Sequence, residues 1–311
     1  MLKSLRRLSL ALLSILTITT YAADWNKQWI RHPYSGNNAQ VWFRGSYKAE
    51  GPIAEAKISV ATSGRYILYV NERIVSRDIL LPYNPGHSQQ PVVMDFEVQR
   101  FMRPDSNVIA LWYSPDPESG YTEDRQIAVD FYGEYDDGRR FSYSSDSTWL
   151  CKQANGGFSL NGDEIIDARK YLDGWKSPSI RQSDWTKAEV TAAGTKTMTY
   201  AAPVHSSWHI DHIYDYVSVD VTDNGITYDF GRNIEGWARL TLRNMSTGDT
   251  LDINGFKYVC RGETDEQAFN RFSTIHCGYI TIKGPKKFSR KNIMKIEAID
   301  IREYLNKSYL Y

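Results

Sequence analysis

The sequence predicts an all-β protein in which a signal peptide is followed by two consecutive β-sandwich domains. Three observations carry this. Nearly every apolar segment alternates with the period of a strand, the segments are short and rich in β-branched and aromatic residues, and turn formers bound them at regular intervals. Helical periodicity is scarce by comparison.

The elements follow in chain order. Val41 to Tyr47, Ala56 to Val60, Arg65 to Asn71, Asn107 to Tyr113 and Gln126 to Tyr132 read as strands. Asp137-Gly138 in "EYDDGRRF" is a hairpin signal, because both residues tolerate the left-handed backbone of a tight turn. Further strands are expected from Tyr214 to Val221, Ile226 to Phe230, Trp237 to Leu242, Thr250 to Ile253 and Gly278 to Lys283, with turns at "TDNG" and "STGD". Two stretches suit a helical turn or two: "MDFEVQRFM" at 94–102, and "TDEQAFNRF" at 264–272, with Thr264 as N-cap and Gln267 closing a capping box. Aromatic content falls across "KAEVTAAGTKTMTYAAP" at 187–203, which places one domain at 24–190 and a second at 200–311.

The 311 residues suffice for two cores. At 41 % apolar and 24 % charged, the chain is globular rather than disordered. With 37 basic and 37 acidic residues and no basic stripe, nucleic acid is not expected as a partner. The 9 Trp and 21 Tyr suit both sandwich cores and sugar-stacking surfaces, so the excess leaves both open.

Residues 1–23, "MLKSLRRLSLALLSILTITTYAA", set three cations before a short apolar run and then small residues, the pattern of a secretory signal peptide. Export to the periplasm or beyond is expected, and no window is long and apolar enough to span a bilayer. Of Cys151, Cys260 and Cys277, the last two are the closer pair, so one disulfide and three separate thiols both stand as readings.

The most specific stretch is "YDFGRNIEGWARLTL" at 228–242, followed by "NMSTGDTLDI". It resembles the signature of the β-sandwich that precedes the catalytic domain in bacterial α-L-rhamnosidases of glycoside hydrolase family 78. Asp229, Phe230, Gly231, Asn233, Gly236 and Trp237 match it. Upstream, "SGRYILYVNERIV" resembles a motif of the family's N-terminal jelly roll, with Glu72 where glycine is usual. "FEVQRFMRPDSNVIALWY", "SSDSTWL", "DEIIDARKYLDGWKSP" and "SDWTKAEV" resemble further elements in the same order. The resemblance implies two jelly-roll-like sandwiches. It also implies that hydrolysis belongs to an (α/α)6 barrel carrying the acid, for which this sequence offers no helices.

The resemblance therefore points to a secreted carbohydrate-binding protein for rhamnose-containing glycans. The alternative is an α-L-rhamnosidase subunit that works with a separate catalytic partner, or a residual hydrolase. Inverting hydrolysis needs two carboxyl groups roughly 6.5–9.5 Å apart, and Glu263 and Glu266, beside Asp265 and two arginines, are the local candidates. The bland reading is a solvated turn. Asp229, Asn233 and Trp237 are candidates for bordering a ligand, although Asp229 also suits a carboxylate that accepts backbone N–H groups in a turn. His205, His209 and His212 would share a face on a helix and bind zinc, but "WHIDHIYDYVSV" reads as a strand that opposes His209 to His212. Finally, "SPDPESGYTEDR" gathers Asp116, Glu118, Glu123 and Asp124 around Tyr121. These carboxylates could hold calcium, which wants six to eight oxygens, with Asp116, Glu118 and Tyr121 facing sugar.

Overall fold

The structure is a computed structural model that describes residues 27–82, 91–116, 125–180, 183–191, 199–200 and 204–307. The all-β expectation holds, and helix is confined to three single 3-10 turns among the described residues. Strands Trp29–Arg31, Ile53–Thr62, Val92–Glu97 and Gln126–Tyr135 belong to a seven-stranded sheet. It faces part of a fifteen-stranded sheet that contains Ala39–Lys48, Arg65–Val70, Ser106–Ser114 and Leu150–Phe158. Period-two alternation is visible in Arg65–Val70, where Tyr66, Leu68 and Val70 are buried and their neighbours are less so. Those three residues pack with Phe43, Val60 and Phe131 in the first core.

The larger sheet does not stop there. Leu150–Phe158 pairs with Glu164–Asp167, and that short strand runs parallel to Phe256–Val259 in the C-terminal half. Beyond it lie Thr250–Ile253, Ile275–Lys283, Gly225–Leu242, Ile293–Lys307 and the edge strand Val204–Tyr214. A second core forms here from Ile226, Phe230, Leu240, Leu251, Ile280 and Ile296. A third, tryptophan-rich cluster of Trp42, Trp112, Trp175, Trp185 and Phe272 draws on both halves. Trp175 stacks on Trp42 at 5.2 Å, and the carbonyls of Trp175 and Ser177 accept from the buried Arg44 guanidinium. The signal-peptide segment and most of 187–203 lie outside the described residues.

Four local expectations are corrected. Gly225–Leu242 is one 18-residue strand, not two strands with a corner. Asp229 pairs with Tyr279 and Ile234 with Cys277, so the ladder to Ile275–Lys283 is interrupted and resumes. Gly231 at φ 67 absorbs the bend, and its N–H is received by Asp229 Oδ1 at 2.7 Å, so the strand bulges without ending. Tyr214 to Val221 is the reverse case. One strand ends at Tyr214, and Ser218–Thr222 begins a hairpin with Gly225–Leu242.

The helical turn expected at 264–272 is also absent. Glu266–Ala268 is a strand against Leu240–Leu242, and Asp265 takes φ 57, which a helix cannot accommodate. At 94–102 only Gln99–Phe101 coils, as a 3-10 turn after Val92–Glu97.

No disulfide forms. Cys151 and Cys260 are buried and Cys277 is half-buried, each as a free thiol. No helix of the described residues is long and apolar enough to cross a membrane.

Candidate functional site at the junction of the two halves

The parallel pairing of Glu164–Asp167 with Phe256–Val259 leaves a cleft of about 310 Å³ beside it. Glu164, at the start of the first of these strands, does not line the cleft but is a fully buried carboxylate that organises one of its walls. The amides of Arg271, Phe272 and Ser273 all donate to it at 3.0–3.1 Å, joined by Ser273 Oγ at 2.8 Å and Gln40 Nε2 at 2.9 Å. Three successive N–H groups turned onto one anion form a concave backbone nest. Burial pushes the Glu164 carboxyl above its ordinary range, and the hydrogen bonds from Phe272, Ser273, Arg271 and Gln40 oppose that shift. Gln40 in turn receives Trp112 Nε1 at 3.0 Å, so one chain of bonds fixes the segment 271–273 and the Trp112 indole together. Arg65 adds a bond from its guanidinium to the Phe272 carbonyl at 3.0 Å.

This arrangement delivers Arg271 into the cleft. Its guanidinium lies over the Phe269 ring at 3.9 Å and the Trp112 ring at 5.5 Å, a cation held on aromatic faces. No carboxylate among the described residues pairs with it. Burial lowers its pKa, and the fields of Tyr69, Tyr171 and Glu164 act against that change. Tyr171 and Tyr258 complete the aromatic lining. Asn155 also lines the cleft; it is 5 % exposed, and its Oδ1 meets no donor among the described residues.

Glu266 closes one side. Its carboxylate accepts Tyr258 Oη at 3.0 Å and the amides of Arg261, Gly262 and Glu263 at 2.6, 3.0 and 3.3 Å. Both oxygens are occupied, which ties the turn 261–263 to the strand. Glu263 projects to the rim, where Arg261 pairs with it and with Asp173, each at 3.0 Å. The structure therefore brings Glu263 and Glu266 into one cleft, where Glu266 holds backbone amides and Glu263 holds an arginine.

The other sequence candidates lie elsewhere. Asp229 caps its own bulge as described. Asn233 is exposed on the same bulge, with its Oδ1 over Gly278. Trp237 is only 8 % exposed and packs with Ile299, Ile301, Ile79 and Phe269, inside the junction rather than on a surface. Asp116 forms an ion pair with Arg65 at 3.3 Å. Glu118, Tyr121, Glu123 and Asp124 lie outside the described residues.

The histidines sit on a strand, as expected, but Asp211 is a bulge that shifts the register. His209 faces Arg302 and His212 faces Asp300, so they are two ladder steps apart and not opposed. They still have different partners, His209 with Asp78 and His212 with Asp211, each at 2.8 Å. No group of three metal-ligating side chains forms among the described residues. Ser207, His209 and Asp78 do meet, but Ser207 Oγ and Asp78 Oδ1 share the single nitrogen Nε2. A proton relay needs the two ring nitrogens to face different partners, so this is a tether and not a triad.

Sequence reasoning missed Glu164 and Asn155 and gave Arg271 only as a neighbour. A buried acid at an inward position of "DEIIDAR" was the available signal. Its partners, about a hundred residues away, were not visible in the sequence.

The fold and its junction cleft define an all-β module built from sandwich-like layers that share a sheet. The chain belongs to the α-L-rhamnosidase N-terminal domain family, whose model matches residues 51–207. It is 25 % identical over 320 residues to an α-L-rhamnosidase of Formosa agariphila, covering 85 % of this chain and 32 % of that protein. Among solved structures, the α-L-rhamnosidase from Dictyoglumus thermophilum matches with a TM-score of 0.76 at 21 % identity, over 89 % of this chain and 35 % of that one. Streptomyces avermitilis α-L-rhamnosidase complexed with L-rhamnose matches at 0.73 and 20 %, over 85 % of this chain and 28 % of that one. These structural matches speak to the fold. The chain spans about a third of the length of these relatives.

Proposed function

We propose that this chain is an exported glycan-binding module for rhamnose-containing oligosaccharides, and that the junction cleft is its binding site. The observation that carries this is the cleft's composition. The half-buried rings of Tyr171 and Phe269 line it together with the edge of the buried Trp112. They surround a small set of polar groups with no hydrogen-bond partner among the described residues, Asn155 Oδ1 and the Arg271 guanidinium. Its volume is at the lower end of the range for small-ligand sites. Sugars suit such a lining because their apolar faces stack on rings while their hydroxyls both donate and accept. The family and the α-L-rhamnosidase relatives supply the sugar class.

Calorimetric titration with L-rhamnose and rhamnose-containing pectin oligosaccharides tests this. Saturable heat, reduced at least tenfold in affinity by Tyr171→Ala, supports the reading; absence of heat with every ligand, from folded protein, removes it. Repeating the titration with calcium and then with chelator tests the acidic segment 114–125 as a calcium-assisted second site.

A second reading, an α-L-rhamnosidase subunit, draws on the names of the relatives. Turnover of an aryl α-L-rhamnoside by the purified chain, lost in Glu263→Gln, would favour a self-sufficient hydrolase. Turnover only with an added catalytic subunit would favour the partner-dependent form.

A further inference from the structure

Arg271 brings to the cleft a positive charge that the hydroxyls of a neutral sugar can hydrogen-bond but not neutralise. The side chain is half-buried in the cleft, and stacking on Phe269 and Trp112 leaves its charge unneutralised. A ligand that covered it without supplying an anion would desolvate that charge uncompensated.

The surrounding charges are otherwise committed. Glu164, beneath the segment, receives the Arg271 backbone amide but not its guanidinium, and four further donors occupy it. Glu266 is held by three amides and the Tyr258 hydroxyl. Asp173 and Glu263 share Arg261, and Asp265 pairs with Arg243 at 2.5 Å. Each acid around the cleft thus has its own donors, and the Arg271 guanidinium has no anion among the described residues. Independently, Asn155 Oδ1 is a buried acceptor without a donor on the same cleft. One ligand chemistry completes both: a carboxylate for the five N–H donors of the guanidinium, and an adjacent hydroxyl for Asn155.

We propose that the cleft takes an acidic glycan, with Arg271 reading the carboxylate of a hexuronate residue and Asn155 accepting a hydroxyl of the same sugar. This rests on the glycan-binding reading above and adds the charge of the ligand to it. A planar guanidinium matches a carboxylate in a paired, two-bond geometry that a lysine cannot reproduce. The aromatic faces that hold the guanidinium also fix its plane, which makes the cleft selective for the anion and not merely attractive to it.

The test compares a rhamnosyl-hexuronate disaccharide with its methyl ester on the unmodified protein by calorimetry, so that it does not depend on any variant folding. The free acid should bind at least tenfold more tightly than the ester. The advantage should shrink as salt is raised and disappear in Arg271→Gln, with Arg271→Lys recovering only part of it. Equal affinity for acid and ester would overturn the uronate assignment and leave the glycan-binding reading standing. Failure of both to bind would overturn the two together.

Discussion

Glu164 receives the Phe272 amide on both of its oxygens, at 3.1 Å each, across 108 residues of chain. This one relationship joins the two halves of the molecule and shapes the cleft between them, because Phe272 follows Arg271 directly. The carboxylate lies in the N-terminal half and the nest that grips it in the C-terminal half.

Removing that carboxylate should therefore both destabilise the fold and damage the cleft. Glu164→Ala leaves several buried donors unanswered and is expected to cost about 3–5 kcal/mol. Glu164→Gln, which keeps one acceptor oxygen, should cost less. Urea denaturation midpoints check this; a loss under about 1 kcal/mol in the alanine variant would show that the nest holds its shape unaided.

Acid stability should depend on Asp167. The Arg169 guanidinium, hydrogen-bonded to both Asp167 oxygens at 2.8 Å, holds that carboxyl below its ordinary value. With the folded pKa below the unfolded one, its contribution is complete above the ordinary aspartate value and is lost as pH falls through the folded one. Asp167→Asn should flatten the acid side of a plot of melting temperature against pH. Glu164, whose carboxyl is pushed up by burial, acts with the opposite sign: its contribution is present below the ordinary glutamate value and fades as pH rises through the raised one.

Two glycines should respond very differently to alanine. At Gly236, with φ 156, a Cβ would lie 1.9 Å from the Ile299 carbonyl oxygen, so the Gly225–Leu242 and Ile293–Lys307 strands would have to separate. The expected cost is about 2–4 kcal/mol. At Gly138, with φ 83 and no atom within 4 Å of the added carbon, only backbone strain of about 1 kcal/mol is expected. Thermal melts of the two variants should separate clearly; equal melting temperatures would contradict the close approach at Gly236.

The thiols should titrate as three, with no bridge. Burial raises the pKa of Cys151 and Cys260 to about 12 and also pushes Cys277 up. In the native protein only Cys277 should react with a thiol reagent, and slowly. Denaturation without reductant should release all three, whereas a single reactive thiol would reveal a disulfide.

The strands were legible because their alternation is a local property. Tyr66, Leu68 and Val70 announce a half-buried strand without reference to anything else. The bulges at Gly231 and Asp211 were not legible as bulges, because a glycine or aspartate in a strand reads equally as a corner until its ladder partners are known. The cleft was only partly legible. Glu263 and Glu266 stood out as a cluster, and they do line it, but nothing local marks Glu266 as occupied by backbone amides. The capping pattern from Thr264 to Phe272 misleads for the same reason. Glu266 begins a strand and reaches back to three amides of the turn 261–263, where Gly262 takes φ 88, and not forward along a helix. Glu164 and Asn155 depend on contacts between distant segments, which no periodicity encodes.

If glycan binds in the junction cleft, an amide-resolved NMR titration of the protein with a rhamnose-containing oligosaccharide should show it most directly. Saturable shifts should concentrate at Asn155, Gln267, Phe269 and Arg271, which line the cleft. Saturable shifts confined to the segment 114–125, or to the bulge around Asn233, would place binding elsewhere and contradict the assignment.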